Sequence, residues 1–316
     1  MRWQEAEIGP DLDGYNMWEL DTAGAVWDGD LMLPAFVELS PGNPAASGDA
    51  IDALLALNLS GTGDCALAGH EAEHLARLRA TALDGKEVVQ TVVYCRPGSL
   101  SNAKLWRVLS VGAPVARAPR PTAATTLALK QAGAIATADP IIAIIDDGIG
   151  FLNARFRKTA VQTRIEAMWI MGPDRSATTP PDGGVVGGRV LTAADIDAML
   201  ALGGEEADHY RAVNDALFPP GLHRSTERAF GHGTLVLDLA AGKDIAAGPA
   251  EGRILAVQLP PEAIAATSGR RLEHYILQGL RWIFDQAVSL TEAAGRPAPL
   301  IVNLSLGALA GPKDGT

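Results

Sequence analysis

The sequence predicts an α/β protein, a doubly wound parallel sheet preceded by a small α+β N-terminal domain. Three observations carry that prediction. After about Pro140, apolar runs of strand length alternate with stretches of helical length and period. The first of these runs, "PIIAIID", is apolar up to its final acid, as a strand covered on both faces requires. Before Pro140 the order differs: one strand, two helices and a second strand lead into a proline-rich stretch.

Taken in order, "LMLPAFVEL" reads as a strand and "GDAIDALLALNL" as a short helix. "LAGHEAEHLARLRATAL" has the period of an amphipathic helix, and "EVVQTVVYC" alternates like a second strand. These fall in an N-terminal region of residues 1–111. "VGAPVARAPRPTAATT", with Pro114, Pro119 and Pro121, makes residues 112–139 a linker. Residues 140–316 form the second region. In it "GHGTLVLDLAAG" reads as a helix, "GRILAVQL" as a strand, "LEHYILQGLRWIFDQAVSLTEAAG" as a long helix and "APLIVNLSLG" as a further strand. Residues 152–229 read as an insertion elaborating the surface. It contains a Gly/Pro loop, "GPDRSATTPPDGGVVGG", and helices near "AADIDAMLALGG" and "EEADHYRAVNDAL".

Composition narrows the function classes. A chain of 316 residues that is 47% hydrophobic can bury a sizeable core. Its formal net charge of -11 argues against nucleic acid or an anionic membrane as partner. The first residues lack a basic start and apolar centre, and no run reaches the roughly 18 apolar residues that span a bilayer. The expectation is a cytoplasmic protein. Two cysteines, Cys65 and Cys95, are too few for a disulfide framework and read as two buried thiols.

In open parallel sheets, function gathers at the carboxyl ends of the strands. Asp146 and Asp147 stand at such an end, and so does Ser305. A buried run that ends in two carboxylates needs a use for the charge. Three uses compete: a turn and helix cap beside Gly148, a magnesium-assisted phosphoryl acceptor, or an acid that orients a distant histidine during nucleophilic catalysis. His232, between two glycines at a predicted helix start, is a base that the second use does not need and the third does.

"IAIIDDGI" resembles the aspartate motif of subtilisin-like serine peptidases, and "GHGTLV" resembles their histidine motif. "GPAEGRILAVQL", "LQGLRWIFDQA" and "APLIVNLSLG" are similar to the following strand, helix and substrate-lining strand of that family, in the same order. The resemblance implies a subtilisin-like sheet and endopeptidase activity on a peptide or protein substrate. It makes Asp146 the acid of the triad and His232 the general base. Ser305, Leu306 and Gly307 would present backbone to an extended substrate, which adds as a strand. Asp147 takes a position where many members have serine or threonine. An acid there resembles kexin-type members and implies a preference for basic substrates. The mechanism needs no cofactor; a structural calcium fits the family, with no ligand set legible here.

The sequence also departs from the family. Asp146 and His232 are 86 residues apart, more than in compact members. Asp238 stands where a small residue usually packs on the histidine helix. No Gly-Thr-Ser segment, which carries the family's nucleophile, occurs in the 316 residues, and "ATSGRR" around Ser268 precedes the "NLSLG" strand. The expectation is therefore a catalytic domain cut short before its serine motif, inactive alone and completed by a C-terminal segment or another chain. The alternative is a non-catalytic binding or regulatory protein that keeps half of the fold. The N-terminal region fits the position of the family's inhibitory prodomains. One competing motif, "HEAEH", offers His70 and His74 to zinc with Glu71 as base. Its short length and the charge at Glu73 favour an exposed charged helix face.

Overall fold

In the computed structural model the described residues are 31–60, 65–81, 88–96, 99–100, 105–112, 115–116, 140–171, 189–217, 231–247, 252–264, 272–294 and 298–306. The N-terminal region folds as an antiparallel sheet built from β1 (Leu31–Leu39), β2 (Cys65–Ala66), β3 (Gln90–Cys95) and β4 (Trp106–Val111), in the order β2-β3-β1-β4. A two-residue strand, β5 (Val115–Ala116), pairs with the start of β1. Helices α1 (Ser47–Ser60) and α2 (Gly69–Ala80) cover one face. Along β1, Leu33, Ala35, Val37 and Leu39 point into that core, while Met32 and Phe36 point to the opposite side. Both faces are thus buried, and this is why β1 reads as an apolar run interrupted by Glu38 rather than an alternating one.

The second sheet has the order β10-β9-β11-β6-β12. Its strands are β6 (Ile141–Asp146), β9 (Ile165–Ile170), β10 (Arg189–Thr192), β11 (Arg253–Gln258) and β12 (Leu300–Asn303); β7 (Arg157–Thr159) and β8 (Gln162–Thr163) make a separate hairpin. β9, β11, β6 and β12 run parallel, and β10 is antiparallel to β9. Helices α3 (Ala193–Leu202), α4 (Glu206–Leu217) and α5 (His232–Ala241) lie with the core on one face. A single turn, α6 (Pro261–Ile264), and the long helix α7 (Glu273–Ala294) lie on the other. The α/β class therefore holds, with a mixed sheet in place of the all-parallel one expected. Among the described residues no helix is long and apolar enough to cross a membrane.

Ile141, Ile144 and Ile145 in β6 are fully buried. Their transfer from water contributes on the order of 5 to 9 kcal/mol before chain entropy is subtracted. That anchoring lets the strand hold a carboxylate at its buried end.

Helix α7 joins the two regions. Trp282 packs against Trp169 of β9 with ring centroids 6.0 Å apart. From the other side Met32, Phe36, Val92 and Tyr94 of the N-terminal sheet join the same core. Tyr94 Oη and the Gln278 side chain hydrogen-bond at 2.9–3.0 Å, and Arg281 donates to Gln90 O at 2.6 Å. Arg281 also ion-pairs with Glu71, which accepts from Thr91 Oγ1 at 2.7 Å.

Three expectations need correction here. Residues 112–139 are not all linker, because Val115–Ala116 complete a strand beside β1; positions 117–139 lie outside the described residues. Residues 152–229 are not only a surface insertion: β9 is an inner strand of the sheet, and its Met168, Trp169 and Ile170 are buried. The "HEAEH" helix face is not simply exposed either. Glu71 is fully buried and committed to Arg281 and Thr91, so it is unavailable as a zinc-peptidase base. The side chain of His70 lies outside the described residues.

Candidate active site

The site forms where the end of β6 meets the start of α5. After Asp146 the chain turns at Gly148, whose φ of 70° lies in the left-handed region that glycine enters without strain. Helix α5 begins at His232 and is pressed against this turn. Gly233 N donates to Asp147 O at 2.7 Å, and Thr234 N donates to Gly148 O at 3.1 Å. Thr234 Oγ1 donates to Gly148 O and accepts from Gly150 N, each at 2.7 Å. The helix start leaves backbone donors to be satisfied, and the acidic turn supplies their acceptors.

Both glycines around His232 are required by this approach. A Cβ on Gly231 would lie 2.3 Å from Gly148 O, and one on Gly233 would lie 2.6 Å from Asp147 O and 3.0 Å from Asp146 Cβ. The G-H-G spacing is therefore the local sequence that lets the histidine reach the acid.

Asp146 Oδ1 accepts from His232 Nδ1 at 2.8 Å and from Asp147 N at 2.7 Å. The two side chains differ sharply in exposure: Asp146 is 0% exposed and His232 is 60% exposed. Burial pushes the Asp146 carboxyl above its ordinary range, opposed by the His232 and Asp147 hydrogen bonds. Bonding at Nδ1 leaves the other ring nitrogen, Nε2, as the group available to an incoming molecule. It is a buried acid fixing the tautomer of a solvent-facing imidazole, the arrangement a general base needs.

Gln258 is the residue that sequence reading missed. It is the Cα partner of Asp146 in the ladder between β11 and β6. Its Oε1 accepts from Ile149 N at 3.1 Å, while its backbone carbonyl accepts from Met171 N and Leu259 N donates to Asp146 O. A buried glutamine closing an otherwise apolar strand was the available signal.

Asp147 is half-buried and sits beside the pair, its carbonyl holding α5. Asn303 pairs with Ile144, so Ser305 and Asp146 each lie two residues past that paired position, at the same end of the sheet. The ladder itself stops at Asn303, short of the longer strand expected. Ser305 is exposed and its Oγ donates to Asn303 Oδ1 at 2.7 Å, whereas Leu306 packs on the α7 core. Gly307 lies outside the described residues. Asp238, the suspected misfit on the histidine helix, pairs with Arg155 Nε at 2.7 Å on a half-exposed surface. His209 is half-buried, its Nε2 at 2.8 Å from Gly203 O, and His223 lies outside the described residues.

The chain matches no protein-family model and no curated protein.

Proposed function

We propose that this chain carries the acid and base of a subtilisin-like serine endopeptidase. The single observation behind the reading is the bond from His232 Nδ1 to the buried Asp146 Oδ1 at the carboxyl end of a parallel strand. In this reading His232 Nε2 takes the proton of an attacking serine hydroxyl as its oxygen bonds to the scissile carbonyl carbon. The same proton then passes to the leaving amine as the C–N bond breaks. Asp146 holds the imidazole in the required tautomer and stabilises the imidazolium formed between those steps. An extended substrate lies along the end of β12 beside Ser305, with Asp147 near the pair favouring basic side chains.

No Gly-Thr-Ser motif stands in these 316 residues, so the nucleophile and the oxyanion donor come from a complementing segment or second chain. Supporting this, the outer face of α5 exposes Leu235 and Leu239, and edge strand β12 and its end expose Ile301 and Leu304. Ile301 is the ladder partner of Ile142, which packs on the α5 side of the sheet, so Ile301 lies on the same side as α5. Apolar surface of this kind calls for a cover. The N-terminal region, seated by its sheet on α7, takes the part of an intramolecular prodomain.

The test is a fluorophosphonate probe applied to the 316-residue chain and to longer or complemented natural forms. Labelling of the complemented form alone, lost in His232→Ala, is the expected result. A labelled serine within residues 1–316, or no labelling in any form, would favour the non-catalytic binding protein or another chemistry.

A further inference from the structure

We propose that Cys65 and Cys95 are a disulfide-forming site that closes by exchange with a low-molecular-weight disulfide of the glutathione class. The inference is independent of the peptidase reading. Cys65 opens β2, Cys95 ends β3, and the two are direct partners in the antiparallel ladder. Residues directly opposed in such a ladder have Cα atoms roughly 4.5 or 5.5 Å apart, both within the span of a disulfide. The sulfurs are already 3.5 Å apart, with the Cys65 thiol donating to Cys95. Reaching bonding distance takes a combined sulfur movement of only about 1.5 Å, within the scope of small side-chain rotations.

Burial sets the order of events. Cys95 is fully buried in the core beneath α1 and α2, and Cys65 is half-buried at the sheet's edge. Cys65 as thiolate attacks the small disulfide; its S–S bond breaks, one thiolate leaves and a mixed disulfide forms on Cys65. Cys95 then attacks the Cys65 sulfur and expels the second small thiolate. Two protein thiols lose two electrons, one small disulfide becomes two thiols, and the two protein protons end on them. Burial keeps the Cys95 thiol raised once Cys65 has become the mixed disulfide, so the second step is the slow one and accelerates with pH.

Closure acts where the N-terminal sheet is least secured. β2 has only two residues, lies at the sheet's edge and connects α1 to α2. Ala66, Ala68 and Glu71, which follow Cys65, pack or ion-pair against the α7 side, and Tyr94, next to Cys95, bonds Gln278. A bond between Cys65 and Cys95 ties these two contact lines together across 30 positions of sequence.

The experiment equilibrates the purified, folded 316-residue chain with reduced and oxidised glutathione at graded ratios. Samples are acid-quenched, alkylated in denaturant and weighed. A species two hydrogens lighter and without alkyl groups is expected, with Tm raised by roughly 5 °C. Cys95→Ser is expected to stop at the glutathione adduct on Cys65, and Cys65→Ser to leave Cys95 mostly unmodified. The wild-type mass readout needs neither variant to fold. Persistence of both alkylatable thiols at every ratio overturns the proposal. So does a cross-link that forms only in denaturant, or equal modification of the two single variants.

Discussion

Gly233→Ala separates a helix-propensity view of the α5 start from the contact seen there. In an unencumbered helix, alanine is favoured over glycine by up to about 1 kcal/mol, so propensity alone gives a more stable protein. Here the added Cβ would meet Asp147 O at 2.6 Å, Ile149 Cγ1 at 2.8 Å and Asp146 Cβ at 3.0 Å. Two of these three neighbours cannot swing away: one is a backbone carbonyl that already accepts from Gly233 N at 2.7 Å, the other a Cβ at the end of a central strand. Overpacking at a rigid site costs about 1 to 3 kcal/mol, and stretching the carbonyl bond adds up to about 1 kcal/mol. The expected net change is a loss of about 1 to 3 kcal/mol, a fall of several degrees in Tm. Moving α5 outward also moves His232 from Asp146, so the low-field Nδ1 proton resonance should weaken or vanish. Thermal melts and proton NMR of Gly233→Ala beside wild type check both effects. A rise in Tm with an unchanged low-field resonance would refute the close approach.

The remaining predictions concern charge. Asp146 is raised by burial, so its ionised form costs stability as pH climbs through its folded-state pKa. Asp146→Asn should leave Tm at neutral pH unchanged or higher, while lowering turnover of a complemented enzyme by several orders of magnitude. Arg281→Ala strands the buried Glu71 carboxylate and should cost about 3 to 5 kcal/mol in urea unfolding, recovered in part by adding Glu71→Leu. His274 is buried and held neutral, its pKa pushed down to about 3 by burial. The unfolded chain then binds the extra proton below pH 6.5, so stability falls as pH drops from there toward 3; His274→Phe should flatten that slope in pH-dependent denaturation.

The elements legible in the sequence were those whose chemistry is local. The isoleucine run before Asp146, the glycines around His232 and the long amphipathic α7 each announce themselves within a dozen residues. β9 did not, because "IEAMWI" is short and carries Glu166, whose partner Arg253 on β11 is visible only once the strands pair. Glu71 was misread for a similar reason. Helical period assigns residues to faces but does not say which face is covered, and the cation that meets Glu71 lies 210 positions away on α7. Gln258 belongs with these: its use appears only when β11 is set in register with β6.

The cost of the Asp146–His232 pair favours a chemical role over a turn-forming one. A cap or turn acid works best at the surface, where its charge stays solvated; Asp146 is buried, its Oδ2 has no hydrogen-bond partner among the described residues, and its carboxyl is pushed upward. Asparagine would accept the same hydrogen bond from Asp147 N without that penalty. What asparagine does not supply is a negative charge behind a solvent-facing imidazole, and that charge matters only if the ring takes up a proton. Among the described residues, the hydrogen bonds that fix the pair come from residues 146–150, 231–235 and 258–259. On the proposed reading the pair is thus preorganised by these residues, and complementation would have only to deliver a nucleophile to a base already in position.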